Sequence, residues 1–231
     1  MDDTKRQISI VQGYDTLSER QKVQFRQVIM EGLQGKFAGT LGNDTDGMLA
    51  IVGIWIRYGF LPMSKAFCAI EEENGNVLSI LLLNDFNQPG ALESVRCLLS
   101  VMHTIGIRKA LKIAFQFLAV DNINKEPNPE NIVSEIYLVS TLESERGKGI
   151  GACLIRYVLG NLSAAYPYRP LSGEERRVKL LVFEKNPAIG LYERLGFLRT
   201  NSVATPKIAQ AFGDTYDVLV QMECPIQPYR P

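Results

Sequence analysis

The feature that most constrains this chain is a glycine-rich junction between a strand pattern and a helix pattern in its second half. Strand-type residues run from Ile132 to Leu142, and helix-type residues run from Gly149 to Leu162. Glycine lets the backbone turn tightly and approach a ligand closely, and a helix N-terminus offers free N–H groups to an anion. The junction therefore predicts a phosphate or pyrophosphate site, made by Arg146, Gly147, Lys148, Gly149, Ile150 and Gly151.

Two other phosphate-binding motifs fit the junction poorly. A P-loop requires a glycine-lysine pair followed by serine or threonine, whereas Lys148 is followed by Gly149. A dinucleotide-binding fingerprint has the spacing GxGxxG after the first strand of a βαβ unit. Here the spacing is GxGxG and the motif comes late in the chain. A nucleotide-binding protein of another class is therefore disfavoured.

The patterns around the junction predict a mixed α/β sheet. Residues 66–72 and 76–84 are strand-like runs around Glu73-Asn74-Gly75, and an Asn-Gly pair between such runs is a strong hairpin signal. From residue 132 onward strands alternate with helices, which is typical of βαβ units. We find no repeat or linker, so we expect one domain over residues 1–231.

Helices are predicted mainly in the first half of the chain. One covers residues 17–33 with Ser18 as its N-cap, and a glycine-rich loop is expected after it, at Gly35, Gly39, Gly42 and Gly47. The apolar run Met48–Ile56 predicts a buried helix, because it is shorter than the roughly 20 residues that span a bilayer. Residues 91–118 predict two helices broken at Gly106, within a helical insertion at about residues 86–131.

Composition narrows the function classes. Lys+Arg and Asp+Glu both number 25, so no excess of positive charge recruits nucleic acid or an anionic membrane. The four cysteines are scattered and His103 is the single histidine, so we expect no metal site. The N-terminal residues lack the apolar region of a secretory signal, and the cytoplasm is the expected compartment.

Two sequence blocks together resemble the GNAT superfamily of N-acetyltransferases. The first is Arg146-x-x-Gly149-x-Gly151 directly after the strand pattern at residues 135–141, and the second is the run from Asn186 to Phe197, which follows another strand. The resemblance covers residues 132–197 closely. It implies a central mixed sheet of about six to seven strands with an antiparallel first half, a parallel βαβ core and flanking helices.

The resemblance also implies acetyl-CoA as co-substrate and assigns contacts to it. The junction corresponds to the family's pyrophosphate loop, and the strand before it provides backbone contacts. In the second block, the segment between Asn186 and Tyr192 is one residue shorter than the family pattern. This departure weakens the correspondence of Asn186 with the family position more than that of Tyr192. Outside the junction, the residues implied to bind acetyl-CoA are Val139, Ser140, Thr141 and Asn186.

Catalytic roles follow from the same resemblance. An amine must lose its proton before it attacks a thioester, and Glu135 occupies the position at which the family often places the base. A backbone N–H near residues 139–141 is implied to stabilise the oxyanion, where a bulge and the divergence of the next strand open a cleft. Tyr192 matches the tyrosine that protonates the departing thiolate. Rival bases are Glu71, Glu72 and Glu73.

The acceptor is not identified by the sequence. A small molecule, a peptide N-terminus and a lysine side chain all remain open, as do a monomer and a homodimer. The insertion at residues 86–131 is expected to form a wall or lid over the acceptor cleft. An alternative function is a non-catalytic acyl-CoA-binding sensor or interaction module that kept the junction and lost turnover.

Overall fold

The computed structural model describes residues 6–84, 89–121, 131–166, 175–212 and 216–226. Seven described strands form one sheet in the order β1-β2-β3-β4-β5-β7-β6. They are β1 Ile8–Gln12, β2 Ala66–Glu71, β3 Val77–Asn84, β4 Ile132–Thr141, β5 Arg177–Phe183, β6 Leu198–Ala204 and β7 Val218–Pro225. Strands β4 and β5 are parallel, and the other neighbouring pairs are antiparallel. The predicted mixed sheet is confirmed.

Helices cover both faces of the sheet. The described helices are α1 Glu19–Leu41, α2 Thr45–Arg57, α3 Ala91–Ile105, α4 Ile107–Asp121, α5 Ile150–Ala165, α6 Ile189–Arg194 and α7 Pro206–Phe212. One apolar cluster joins α1 and α2 to one face, and a second joins α5 and α6 to the other face. Helix α7 escaped prediction because its pattern is only two turns long, although Pro206 suits a first helical position.

Helix α1 is longer than the sequence predicts, and the expected glycine-rich loop is wrong. Gly35 and Gly39 lie inside α1, and Gly47 lies in the first turn of α2. A glycine inside a helix costs about 1 kcal/mol relative to alanine. Burial of Phe37 in the same segment offsets this cost, so tertiary packing overrides the local preference. Gly42, with a φ of 61°, follows the end of the helix.

Other predicted elements agree with the structure. Ser18 caps α1: its Oγ accepts from the Gln21 N–H at 3.3 Å, and the Ser18 N–H donates to Gln21 Oε1 at 3.0 Å. This reciprocal pair is a capping box. The break between α3 and α4 falls at Gly106, whose φ is 84°. Of the predicted insertion, residues 86–88 and 122–130 lie outside the described residues.

Candidate functional site

Strands β4 and β5 separate partway along their length. Their parallel pairing ends at Ile136 and Leu180, although β4 continues to Thr141. Strand β5 keeps its pairing with β7 throughout, and β4 keeps its pairing with β3. An extra residue, Tyr137, interrupts the register between β3 and β4, upstream of the expected position at residues 139–141. Bulges bend a strand and increase its twist, and a gap opens here between β4 and β5.

The backbone N–H groups near the end of β4 point alternately toward β3 and toward this gap. The Leu142 N–H donates to Leu78 O on β3 at 3.0 Å, and successive residues of a strand direct their N–H groups to opposite sides. The N–H of Ser140 therefore faces β3. The N–H groups of Val139 and Thr141 face the gap, where no described strand pairs with them.

The side chain of Ser140 belongs to the packing of α1. Its Oγ donates to Val28 O at 2.6 Å, and a Cβ added to Gly32 would lie 2.5 Å from the same oxygen. Glycine at position 32 thus permits the close approach of α1 to β4. Of the three β4 residues predicted to contact acetyl-CoA, Ser140 faces away from the gap.

The junction between β4 and α5 presents unpaired donors. Gly147 and Gly149 have φ angles of 79° and 81°, a region that strongly favours glycine. Within the described residues, the backbone N–H groups of residues 147–152 find no acceptor. Side chains of Arg146 and Lys148 are exposed beside them. The arrangement is an anion-binding site of the kind found at helix N-termini.

Side chains around Thr141 fix the junction to the strand. Its Oγ1 lies 2.8 Å from Ser79 Oγ, and its carbonyl accepts from Arg146 Nε at 3.2 Å. A Cβ added to Gly151 would lie 3.2 Å from Thr141 Oγ1. Glycine at position 151 therefore lets the first turn of α5 sit directly against the end of β4.

A row of polar side chains crosses the sheet at the other end of β4. Asn84, Glu135, Lys179 and Glu223 stand at matching register positions on β3, β4, β5 and β7. Glu135 and Lys179 are each 6% exposed, and Lys179 Nζ lies 3.7 Å from Glu135 Oε2. Burial raises the pKa of Glu135 above the ordinary carboxyl value, although the nearby Lys179 and Asn84 oppose the rise.

Glu223 terminates the row on β7. Its carboxylate accepts from Gln221 Nε2 at 2.7 Å, from Thr200 Oγ1 at 3.0 Å and from Arg177 Nη1 at 3.2 Å. Burial alone would raise its pKa, but these three donors outweigh burial and lower the pKa. Sequence reasoning missed Lys179 and Glu223. A charged residue within the otherwise apolar run of β5 was the available signal for Lys179.

Tyr192 packs on the opposite face of the sheet from Glu135. Its ring lies edge-on to Phe197, with centroids 5.9 Å apart, in the apolar cluster that includes Ile136 and Leu180. Glu135 precedes Ile136 in its strand and therefore faces the other way. Burial raises the pKa of the Tyr192 phenol to about 12, and its hydroxyl makes no hydrogen bond within the described part of the chain.

The remaining predicted residues lie apart from Glu135. Asn186 Oδ1 accepts from the Ala188 N–H at 2.8 Å, so its side chain shapes the turn into α6. Glu71 at the end of β2 pairs with Arg6, and Glu72 and Glu73 follow it in the hairpin turn. Because Ser79 pairs with Thr141, this hairpin lies at the junction end of β4.

Neither a metal cluster nor a membrane helix is found in the described ranges. No group of three or more His, Cys, Asp or Glu side chains there could hold a metal ion. None of the described helices is long and apolar enough to cross a membrane.

No protein-family model matches the sequence, and no curated protein matches it. Similar solved structures do exist. One, from Corynebacterium glutamicum and described as histone acetyltransferase HPA2 and related acetyltransferase, is 15% identical with a TM-score of 0.54, over 97% of this chain and 98% of that chain. A GCN5-related N-acetyltransferase from Kribbella flavida is 12% identical with a TM-score of 0.51, over 94% and 97%.

A third similar structure is the NatC complex bound to Gag peptide and CoA. It is 12% identical with a TM-score of 0.50, over 96% of this chain and 99% of that chain. At these identities the likeness concerns the fold. The chain has the GNAT fold, as the two sequence blocks predict.

Proposed function

We propose that this chain is an N-acetyltransferase that moves an acetyl group from acetyl-CoA to a primary amine of a small molecule or peptide. The observation that carries the proposal is the arrangement along β4. An anion-binding junction follows one end of this strand, and the buried carboxylate of Glu135 lies near the other end. The gap between β4 and β5 begins just beyond Glu135 and runs toward the junction. The presence of CoA and a peptide in the similar NatC complex supports this cofactor and this substrate class.

The residues of the junction fit a pyrophosphate. Unpaired N–H groups, the exposed cations Arg146 and Lys148, and open space above Gly147 and Gly149 together suit two linked phosphates. The gap beside Val139 provides backbone donors for an extended pantetheine arm. Bound acetyl-CoA supplies the thioester carbonyl that the amine attacks.

Glu135 is the proposed base. An alkyl amine has a pKa of about 10.4 and is protonated at neutral pH, so it must lose a proton before it attacks. Burial raises the pKa of Glu135 and so makes it a stronger base than an exposed carboxylate, while the cation of Lys179 beside it favours the ionised form. The acceptor amine approaches this face of the sheet.

Hydrogen-bond donors of this chain stabilise the negative charge that develops in the gap during the reaction. The N–H groups of Val139 and Thr141 face the gap and stabilise an oxygen that gains negative charge. Tyr192 approaches from the opposite face and donates to the departing sulfur. A thiol has a pKa of about 8.5, well below that of the buried phenol. The hydrogen bond, rather than complete proton transfer, therefore accounts for most of its effect.

An amine panel tests the proposal. The wild-type protein is mixed with acetyl-CoA and peptides, polyamines or aminoglycosides, and free thiol is measured over time. We expect thiol release that depends on the amine, with the acetylated amine detected by mass. Binding of acetyl-CoA without release for any amine would favour the alternative, a non-catalytic acyl-CoA sensor.

A further inference from the structure

A cluster of two carboxylates and two cations ties the junction to the beginning of the chain. The Arg6 guanidinium donates to Glu71 through Nε and to Glu145 through Nη1. Glu145 directly precedes Arg146 of the junction, and Lys148 Nζ lies 3.3 Å from Glu145 Oε2. The cluster therefore connects the segment before β1, the end of β2 and the predicted pyrophosphate site.

Glu145 presents an electrostatic problem at this position. Glu145 is 9% exposed, and a buried negative charge beside an anion site repels the anion. Arg6 and Lys148 both contact it and neutralise it. The Arg6 hydrogen bond lowers the pKa of Glu71, which favours its ionised form. Two positive and two negative charges cancel in the cluster, and loss of Arg6 leaves it with one excess negative charge.

Arg6 is one of several anchors of the segment before the junction. Glu31 Oε2 on α1 accepts from the Glu143 N–H at 3.0 Å, and the Glu145 N–H donates to Leu142 O at 2.9 Å. A cavity of about 210 Å³ also opens beside the cluster, lined in part by Gln27. Because anchors remain and solvent can enter, we expect the protein to fold without the Arg6 charge.

We propose that Arg6 is a positioning residue for the junction, acting through Glu145. It neutralises that carboxylate, so that a pyrophosphate meets the donors of the junction without an opposing charge. The inference rests on the proposed function, since it presumes a CoA thioester at the junction. It adds a residue 140 positions away from the motif, and it assigns that residue to cofactor affinity, separate from turnover.

The test is a charge-swap series titrated with acetyl-CoA by calorimetry. Arg6→Gln should weaken binding about 10-fold, because one carboxylate is left uncompensated. Arg6→Lys should keep most of the affinity. The double variant Arg6→Gln with Glu145→Gln should recover it, because the uncompensated charge is gone. With an acceptor amine, the KM for acetyl-CoA should rise in Arg6→Gln while kcat at saturation stays within about twofold.

Arg20→Gln serves as the matched control. Arg20 also contacts the β2–β3 hairpin, through Asn76 Oδ1 at 2.9 Å, but it does not touch the junction. Its loss should leave acetyl-CoA affinity unchanged. Melting temperatures of the unliganded variants check folding.

Three results would overturn the inference. The first is an unchanged affinity for acetyl-CoA in Arg6→Gln. The second is binding of acetyl-CoA that is equally weak in Arg6→Gln and in the double variant. If Arg6→Gln does not fold, the single variant Glu145→Gln decides. Its affinity for acetyl-CoA should equal or exceed that of the wild type, and a loss of affinity is the third result that would overturn the inference. A wild-type protein that binds neither acetyl-CoA nor CoA would instead contradict the proposed function, and this inference would fall with it.

Discussion

At one end of β4 the chain exposes backbone donors and the cations Arg146 and Lys148; at the other end it buries the carboxylate of Glu135 against Lys179. The junction end is open to solvent and is built mainly from consecutive residues. The Glu135 end is assembled from four strands, and its side chains are largely buried. In our account the first end binds the cofactor and the second performs the proton chemistry.

The difference matters because exposure decides how strongly a charge acts. Exposed cations at the junction are screened by salt and contribute modestly one by one, so binding depends on many donors together. At the Glu135 end a single charge acts in a low-dielectric environment and strongly affects its neighbours. Variants of the junction should therefore change affinity, and variants near Glu135 should change turnover and its pH dependence.

Gly149→Val should have the largest effect. A branched side chain disfavours the φ of 81° at this position and blocks backbone approach of a ligand. Acetyl-CoA binding measured by calorimetry should fall below detection. Gly160→Val is the control, since Gly160 lies in α5 with open space around it, and binding should survive there. Intact binding in Gly149→Val would remove the junction from the site.

Tyr192→Phe should come next. It removes one hydroxyl and little volume, so the fold and acetyl-CoA affinity should persist while kcat falls about 100-fold. Steady-state thiol release measures the change, with Tyr157→Phe on the exposed side of α5 as control. Normal kcat would show that the Tyr192 hydroxyl has no part in the departure of the thiolate.

Glu135→Gln should reduce kcat strongly at neutral pH and less at alkaline pH. The amide keeps the shape of the side chain but cannot accept the proton, and the defect shrinks as the amine loses its proton unaided. Glu73→Gln, in the hairpin turn at the junction end, should behave as wild type. A defect that is constant between pH 7 and 10 would assign Glu135 to substrate positioning instead.

Lys179→Met should have the smallest effect and the most specific one. Burial already raises the pKa of Glu135, and Lys179 opposes the rise. Without Lys179 the pKa of Glu135 rises further, and the acidic limb of the kcat profile should move to higher pH by about one unit. Lys185→Met, at an exposed pair with Asp217, should leave the limb in place. An unmoved limb in Lys179→Met would separate the ion pair from catalysis.

Local sequence determined what could be predicted. The junction, the hairpin at Gly75 and the break at Gly106 were predictable because each depends on glycine within a few consecutive residues. The Glu135–Lys179 pair was not, since the two residues are 44 positions apart and meet only through strand register. The length of α1 was underestimated because packing outweighs the helix-breaking preference of Gly35 and Gly39.

The central claim is that the junction binds a CoA thioester, and thermal melting of the wild-type protein with acetyl-CoA tests it most directly. At about 100 times its dissociation constant, the ligand should stabilise the fold by about 2.7 kcal/mol. For a chain of this size, each kcal/mol of added stability should raise the melting temperature by about 2–4 °C. A melting temperature that acetyl-CoA leaves unchanged at millimolar concentration would contradict the account.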